Sequence, residues 1–256
     1  MKMPVLFIGH GSPMNAIVEN DWSLAFKRLG ATLPKPRAVL AISAHWWGPG
    51  TFVTGNEAPE TIHDFGGFPQ PLFEVQYPAK GDPRLAERVA SLLPHAGVRL
   101  DWGLDHGTWS VLTHLRPAAD VPVLQLSLDQ RATPEEHLAL GAKLAVLRED
   151  GVLILGSGNL THNLRHAFSS WRQGITDTPD WATRFDTDAR ARLEQHDGPA
   201  LAKLLSSDDG RLCHPTHEHF MPILYALGAS DRRDTVTFPI SGFDMASLSM
   251  RAVQFG

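Results

Sequence analysis

The sequence predicts one α/β domain, residues 1–256, with a mostly parallel central sheet flanked by helices and a metal site at the carboxyl ends of the strands. Three observations carry that expectation. Short apolar runs bounded by turn residues recur at Val5–Ile8, Ala38–Ser43, Val121–Leu126 and Val152–Leu155, too short for helices and near-continuous in hydrophobicity, as strands buried on both faces are. Segments of helical pattern alternate with them, which favours a parallel sheet. The composition, 43% hydrophobic and 20% charged over 256 residues, is that of an ordinary globular chain able to bury one sizeable core.

In chain order, Val5–Ile8 opens the sheet and Trp22–Leu29 follows as the first helix. Ala38–Ser43 is the second strand. From Gly55 to Pro83, Pro59, Pro69, Pro71 and Pro78 with Gly66 and Gly67 break any periodicity. A stretch this long without regular structure is a functional loop or a linker. The aromatic run Phe65-Gly66-Gly67-Phe68-Pro69 makes it an ordered lid over a pocket. Helices are expected over Arg84–Leu93 and Thr108–Leu115, and Val121–Leu126 is the third strand. The helix Pro134–Arg148 is opened by Thr133 as N-cap, Pro134 at the first position and Glu135–Glu136 in the first turn. After the fourth strand, Val152–Leu155, a polar loop spans Ser169–Asp180, and helices lie near Trp181–Gln195 and Glu218–Leu227. Two strand-like pieces, Thr235–Ile240 and Ser247–Phe255, pair at the sheet edge.

The balance of charges narrows the function. A formal charge of −5 and the lack of a dense Lys/Arg run argue against nucleic acid as a partner. No apolar run approaches the length of a spanning helix or a signal segment, so no membrane is expected. The lone cysteine, Cys213, requires no oxidising compartment, and the expected location is the cytoplasm.

The unusual feature is 13 histidines against 2 tyrosines. The first strand ends in Gly9-His10-Gly11-Ser12-Pro13, the second in Ser43-Ala44-His45-Trp46, and the fourth runs through small residues into His162-Asn163. If these strands are parallel, the three imidazoles enter the same crevice, where open α/β sheets bind their ligands. A single histidine after a strand is more often a hydrogen-bonded structural residue than a ligand. Three strand ends delivering three histidines is the stronger signal. A further cluster, His214-Pro215-Thr216-His217-Glu218-His219, could bring another ligand from a helix start, though it lacks the H-E-x-x-H zinc pattern. Asp105-His106 and His63-Asp64 are candidate supporting acids or bases. His95, His114, His137, His166 and His196 fall on or beside amphipathic helices and are expected to be solvated. Cys213 has no C-x-x-C partner and reads as a buried thiol. Among the tryptophans, Trp46 and Trp109 are the candidates for a pocket wall.

Six motifs in order along the chain resemble one family. Gly9-His10-Gly11-Ser12-Pro13, Ser43-Ala44-His45-Trp46, His63-Asp64-Phe65-Gly66-Gly67-Phe68-Pro69, Gly103 to Trp109, Ser157 to Leu164 and Pro215 to Phe220 are similar to those of the bacterial and plant 4,5-DOPA extradiol dioxygenases. These are class III extradiol ring-cleavage enzymes, related to the protocatechuate 4,5-dioxygenase β subunit. The likeness implies that His10 and His45 bind the metal, with His219 as third ligand. His162 lies in the motif of the acid/base and also reaches the metal region, and His106 matches a further active-site histidine. The wider class uses two histidines and a carboxylate, whereas here the third position is His219 with Glu218 beside it. A two-histidine, one-carboxylate face suits Fe(II), while an all-histidine set suits zinc equally well.

The implied activity is insertion of O2 into a catechol such as 3,4-dihydroxyphenylalanine, giving a hydroxymuconic semialdehyde. One divalent ion per chain, Zn(2+) or Fe(2+), is implied, with Fe(2+) needed for the oxygen chemistry. A catechol and O2 are then the partners, and a monomer or a homodimer fits. The rival from another class is a zinc hydrolase with the same histidines around a metal-bound hydroxide. A non-enzymatic metal-binding or aromatic-binding protein is the third reading.

Overall fold

The computed structural model describes residues 2–256. Its strands are β1 (Val5–Gly9), β2 (Ala38–Gly48), β3 (Phe52–Thr54), β4 (Gly97–Arg99), β5 (Val123–Asp129), β6 (Val152–Gly158), β7 (Val236–Ile240), β8 (Phe243–Asp244), β9 (Leu248–Ser249) and β10 (Ala252–Phe255). Its α-helices are α1 (Asp21–Thr32), α2 (Gln70–Phe73), α3 (Pro83–Leu92), α4 (His106–Leu115), α5 (Pro134–Leu144), α6 (Leu164–Gln173), α7 (Asp180–Glu194), α8 (Gly198–Lys203), α9 (Asp208–Cys213) and α10 (Met221–Ala229). Eight strands form one sheet in the order β4-β3-β5-β2-β6-β1-β10-β7.

The centre of that sheet is parallel. β2 lies between β5 and β6, and β6 between β2 and β1, all in the same direction. Antiparallel strands finish both sides, β10 and β7 beyond β1, and β3 beyond β5. The expected edge pairing is met by β7 and β10, with Ala252 opposite Ile240 and Phe255 opposite Val236. Upstream of it, Leu248–Ser249 turns off the sheet into a small hairpin with β8.

The strands are apolar throughout because both faces are covered. Along β1, Val5 and Phe7 join the core under α5, α7 and α10, while Leu6 and Ile8 join the core under α1 and α4. This period-two division is what a pleated strand imposes. Phe7 is fully buried, and its truncation to alanine would cost about 3–5 kcal/mol. Among the described residues, no helix is long and apolar enough to cross a membrane.

Several local expectations are corrected. β3 and β4 were not foreseen, since three residues carry no readable period. Part of the expected polar loop Ser169–Asp180 belongs to α6, which Asn163 caps from its side chain and Gly174 ends at φ +67°. The helix expected from Glu218 begins at Met221, with Pro222 in its first turn. The expected Pro134–Arg148 helix tightens to 3-10 form over Ala145–Arg148, and its start carries the foreseen cap, with Thr133 and Glu136 bonding each other's backbone. Among the histidines expected to be solvated, His137 is instead fully buried, its Nδ1 3.2 Å from the Tyr225 hydroxyl. His114, His166 and His196 are half-buried, and only His95 is exposed.

Candidate metal centre

The parallel centre of the sheet delivers the histidines. His10 follows the last residue of β1, and β1 and β6 keep register up to Gly9 opposite Gly158. β2 leaves β6 after Ser43, and its register with β5 shifts between Ile42 and Trp47, which frees His45 to turn into the crevice. His162 follows β6 by a short loop, tied by its backbone N–H to the Cys213 carbonyl. His219 sits in the turn before α10, where its carbonyl accepts from Asn159 N–H at the end of β6. Gly158 permits this approach, because a Cβ there would lie 2.2 Å from the His219 oxygen. Gly107 does the same for α4, where a Cβ would meet Ser43 Oγ at 2.5 Å and His45 Cδ2 at 2.9 Å.

All five imidazoles, of His10, His45, His106, His162 and His219, line one cavity of about 270 Å³. The rings of His10, His45 and His219 form a near-equilateral triangle, with centroids 5.1, 5.3 and 5.0 Å apart. His106 is placed less evenly, 3.8 Å from His45 and 5.9 Å from His10. His162 stacks flat on His219 at 3.4 Å. Donor atoms of His10, His45 and His106 lie close enough together to hold an ion, as do those of His162, Glu218 and His219.

Oxygen neighbours decide which nitrogen of His10, His45 and His219 faces the cavity. Ser157 Oγ donates to the Gly107 carbonyl at 2.5 Å, so at its 2.9 Å contact with His10 it accepts from Nδ1–H. Glu218 Oε1 stands 3.1 Å from His219 Nδ1. Asp64 serves two rings, with Oδ2 3.3 Å from His45 Nδ1 and 3.0 Å from His106 Nδ1, and Oδ1 accepting from His106 N–H at 2.8 Å. The Nδ1 atoms of His10, His45 and His219 thus have oxygen neighbours and their Nε2 lone pairs are left free, while His106 Nδ1 lies near Asp64 without a hydrogen bond. His10 Nε2 and His45 Nε2 consequently face each other at 3.3 Å. Two bare lone pairs repel at that distance. Two nitrogens about 2.0–2.1 Å from one tetrahedral ion stand about 3.3–3.4 Å apart, so the pair fits a cation between them.

Burial keeps the rings of His10, His45, His162 and His219 neutral, as metal ligands must be. It pushes His45 down to about 3, with His106 adding to the effect, and His162 down to about 3, with His214 adding. His10 and His219 are also held well below the ordinary imidazole value, by burial first and by neighbouring imidazoles second. Burial alone would raise Asp64, but its contacts with His106 and His45 bring it below the usual carboxylate range. Asp105 is driven up to about 6 by burial and by the Asp64 charge. It caps α4 by accepting from Thr108 N–H, and Gln125 donates to it from β5.

The lid expectation is met: Phe65 and Phe68 lie over the cavity, and the segment is anchored. Ile62 N–H donates to the Leu104 carbonyl, Trp109 Nε1–H to the Ile62 carbonyl, and His63 contacts the Val75 carbonyl at 3.0 Å. His63 therefore holds the lid and does not reach the cavity. Trp46 and Trp109 are corrected as wall candidates, since neither lines the cavity. Trp46 stacks on Trp102, and Trp109 is fully buried beneath Phe65. His214 bonds the Leu160 carbonyl at 2.7 Å and is structural, and Cys213 is buried as expected. Ser157 stands in a family-like motif, but nothing local in the sequence marks its bond to His10. Asp64, a candidate supporting acid in the sequence, is the residue that sits beside two of the rings.

A buried set of neutral imidazole donors under an aromatic roof, at the carboxyl ends of parallel strands, defines a metal-dependent enzyme of the non-haem class. The comparisons with known proteins give the family. Residues 5–255 match the catalytic LigB subunit of aromatic ring-opening dioxygenase, and the chain belongs to that family. It is 46% identical to the 4,5-DOPA dioxygenase extradiol of Escherichia coli, over 100% of this chain and 95% of that protein. It is 35% identical to the protein of the same name from Beta vulgaris, over 97% and 95%. A crystal structure of an uncharacterized protein from Escherichia coli K12 superposes with a TM-score of 0.86 at 41% identity, covering 99% of this chain and 100% of the other. The chain is accordingly an extradiol ring-cleaving dioxygenase, and nothing in these comparisons favours a hydrolase.

Proposed function

We propose that this dioxygenase opens the ring of a catechol such as 3,4-dihydroxyphenylalanine beside its two hydroxyls, to give a hydroxymuconic semialdehyde. In this reading His10, His45 and His219 hold one divalent ion, and His162 and His106 serve the substrate. The observation that carries the assignment is the near-equilateral triangle of the first three rings, each with its Nδ1 engaged and its Nε2 free. Bound there, Fe(II) supplies a Lewis-acid contact for both hydroxyls and exchange of electrons with O2, whereas zinc supplies only the contact.

The chain's own groups do the rest. His162 has no hydrogen-bond partner for its ring among the described residues, and it stands on the face of His219 beside the metal position. Its neutral ring takes the proton of one catechol hydroxyl at a free nitrogen and later returns it to the opened product, a role worth about 10²–10⁴ in rate. His106, anchored through its backbone N–H to Asp64, presents a ring nitrogen to the substrate oxygens. Phe65 and Phe68 cover the ring and exclude water. A cytosolic location belongs to the same reading, supported by the single buried thiol.

The test is anaerobic loading with Fe(II), addition of catechols in air-saturated buffer, and simultaneous recording of O2 uptake and the yellow product. Stoichiometric O2 consumption with colour is expected, and a zinc-loaded sample should show neither. Catechol binding without O2 uptake by the iron-loaded protein would refute the proposal.

A further inference from the structure

The cavity opens between α6 and the β8–β9 hairpin. Leu164 and Phe168 line it from α6, both nearly half exposed, and Met245 and Leu248 line it from the hairpin. No lysine or arginine is among the described lining residues. The hairpin register places Asp244 directly opposite Leu248. Directly paired residues of an antiparallel ladder project on the same face. Since Leu248 lines the cavity, Asp244 projects to the same side of the hairpin, outside the lining residues themselves.

Asp244 is a half-buried carboxylate with no cationic partner among the described residues; the one hydrogen bond recorded for it accepts Met245 N–H at Oδ1, 2.9 Å. An uncompensated, partly buried charge is costly, and burial holds its acidity below that of an ordinary aspartate. The hairpin that carries it is built rigidly. Met245 and Ala246 hold left-handed backbone at its tip, φ +46° and +67°. Thr161, next to His162, donates to the Ser247 carbonyl at 2.7 Å and accepts from Ser249 N–H at 2.9 Å. Ser249 Oγ in turn donates to Asp186, which also binds Arg251. The carboxylate is thus tied to the loop that carries His162.

We propose that Asp244 is a specificity-determining residue, the counter-charge for an ammonium group on the arm of the catechol, so that aminoalkyl catechols are preferred over carboxyalkyl ones. The inference rests on the reading that the catechol ring lies at the histidines. A para substituent then points outward past Phe168 and Met245 to the rim. There Asp244 attracts a cation, Phe168 offers an aromatic face to it, and an anionic arm meets like charge.

The test compares dopamine, methylcatechol and dihydroxyphenylpropionate on the iron-loaded enzyme. Wild type should rank them in that order by kcat/KM. In Asp244→Asn, which keeps the acceptor for Met245 N–H, the ratio of dopamine to methylcatechol should fall about tenfold, as loss of one partly desolvated ion pair does. Taking a ratio within one variant separates charge recognition from damage to folding. Calorimetric binding of the same pair to the metal-loaded protein gives the ratio independently of turnover. If no catechol consumes O2 while the binding ratio still falls, the dioxygenase reading fails and this one stands. An unchanged ratio in Asp244→Asn overturns the proposal, as does a wild-type preference for the carboxylate arm, which would point to Arg165 beside Leu164.

Discussion

At the scale of single residues, the site works by dividing labour between the two nitrogens of each imidazole. Ser157, Asp64 and Glu218 stand at the Nδ1 atoms of His10, His45 and His219, so in the proposed site the Nε2 atoms are the ones left to an ion. His162 lacks such an anchor, which is why it is proposed as the proton carrier. His162→Ala is expected to keep its iron and its catechol binding while losing turnover by about 10²-fold or more. His10→Ala should lose the iron itself. Metal analysis beside single-turnover assays checks both, and a collapse of iron content in His162→Ala would make it a primary ligand. Away from the site, His137 gives a test of folding. Burial lowers it to about 4 in the folded chain, against about 6.5 when unfolded. The unfolded chain therefore binds the extra proton first as pH drops. The stability tied to His137 is complete above pH about 6.5 and is lost progressively down to about 4, for a total of about 3 kcal/mol. Denaturant titrations between those pH values should show a shallower fall in His137→Gln, and an equal fall in both proteins would contradict the buried neutral assignment. The ring that was legible in the sequence was the one with a strand before it. His10, His45 and His162 were readable from strand ends and His219 and His106 as members of candidate clusters whose roles the resemblance supplied, whereas the role of Ser157 was not readable, because it meets its histidine through tertiary contact alone.

At the scale of elements, the four central strands were readable because burial on both faces writes continuous apolar runs, and the cap at Thr133 because its chemistry is local. β3 and β4 were not, since three-residue strands exist only by pairing with distant neighbours. α6 was partly hidden by its outward apolar residues, Phe168 and Trp171, and its polar buried Ser170, the reverse of the pattern that marks a core-facing helix. The lid is legible in composition but not in contacts. Its tether from Trp109 to Ile62 anchors the segment that places Phe65 and Phe68 at the cavity. Replacing both phenylalanines by alanine should therefore raise KM for catechol by about tenfold or more, with little change in metal affinity. Steady-state kinetics beside metal titration decides this, and an unaltered KM would mean that the segment does not cover the substrate.

At the scale of the whole molecule, the fold is a device for bringing distant residues to one point. β1, β2 and β6 are adjacent and parallel, so His10, His45 and His162 converge although the first and last are far apart in sequence. The turn before α10 closes the set with His219, held at the end of β6 by the Asn159 bond. A site assembled this way exists only in the folded state, so its metal should stabilise the fold by mass action. Two groups of possible donors share the cavity, His10 with His45 and His106, and His162 with Glu218 and His219, so the number of ions is the decisive quantity. The cavity is proposed to take one ion, with room left on it for a catechol. Anaerobic titration with Co(II), read by its visible absorption, tests this most directly. The band should saturate at one equivalent, shift when a catechol is added, and be absent in His45→Ala. Saturation at two equivalents, or a band that catechol leaves unmoved, would contradict it.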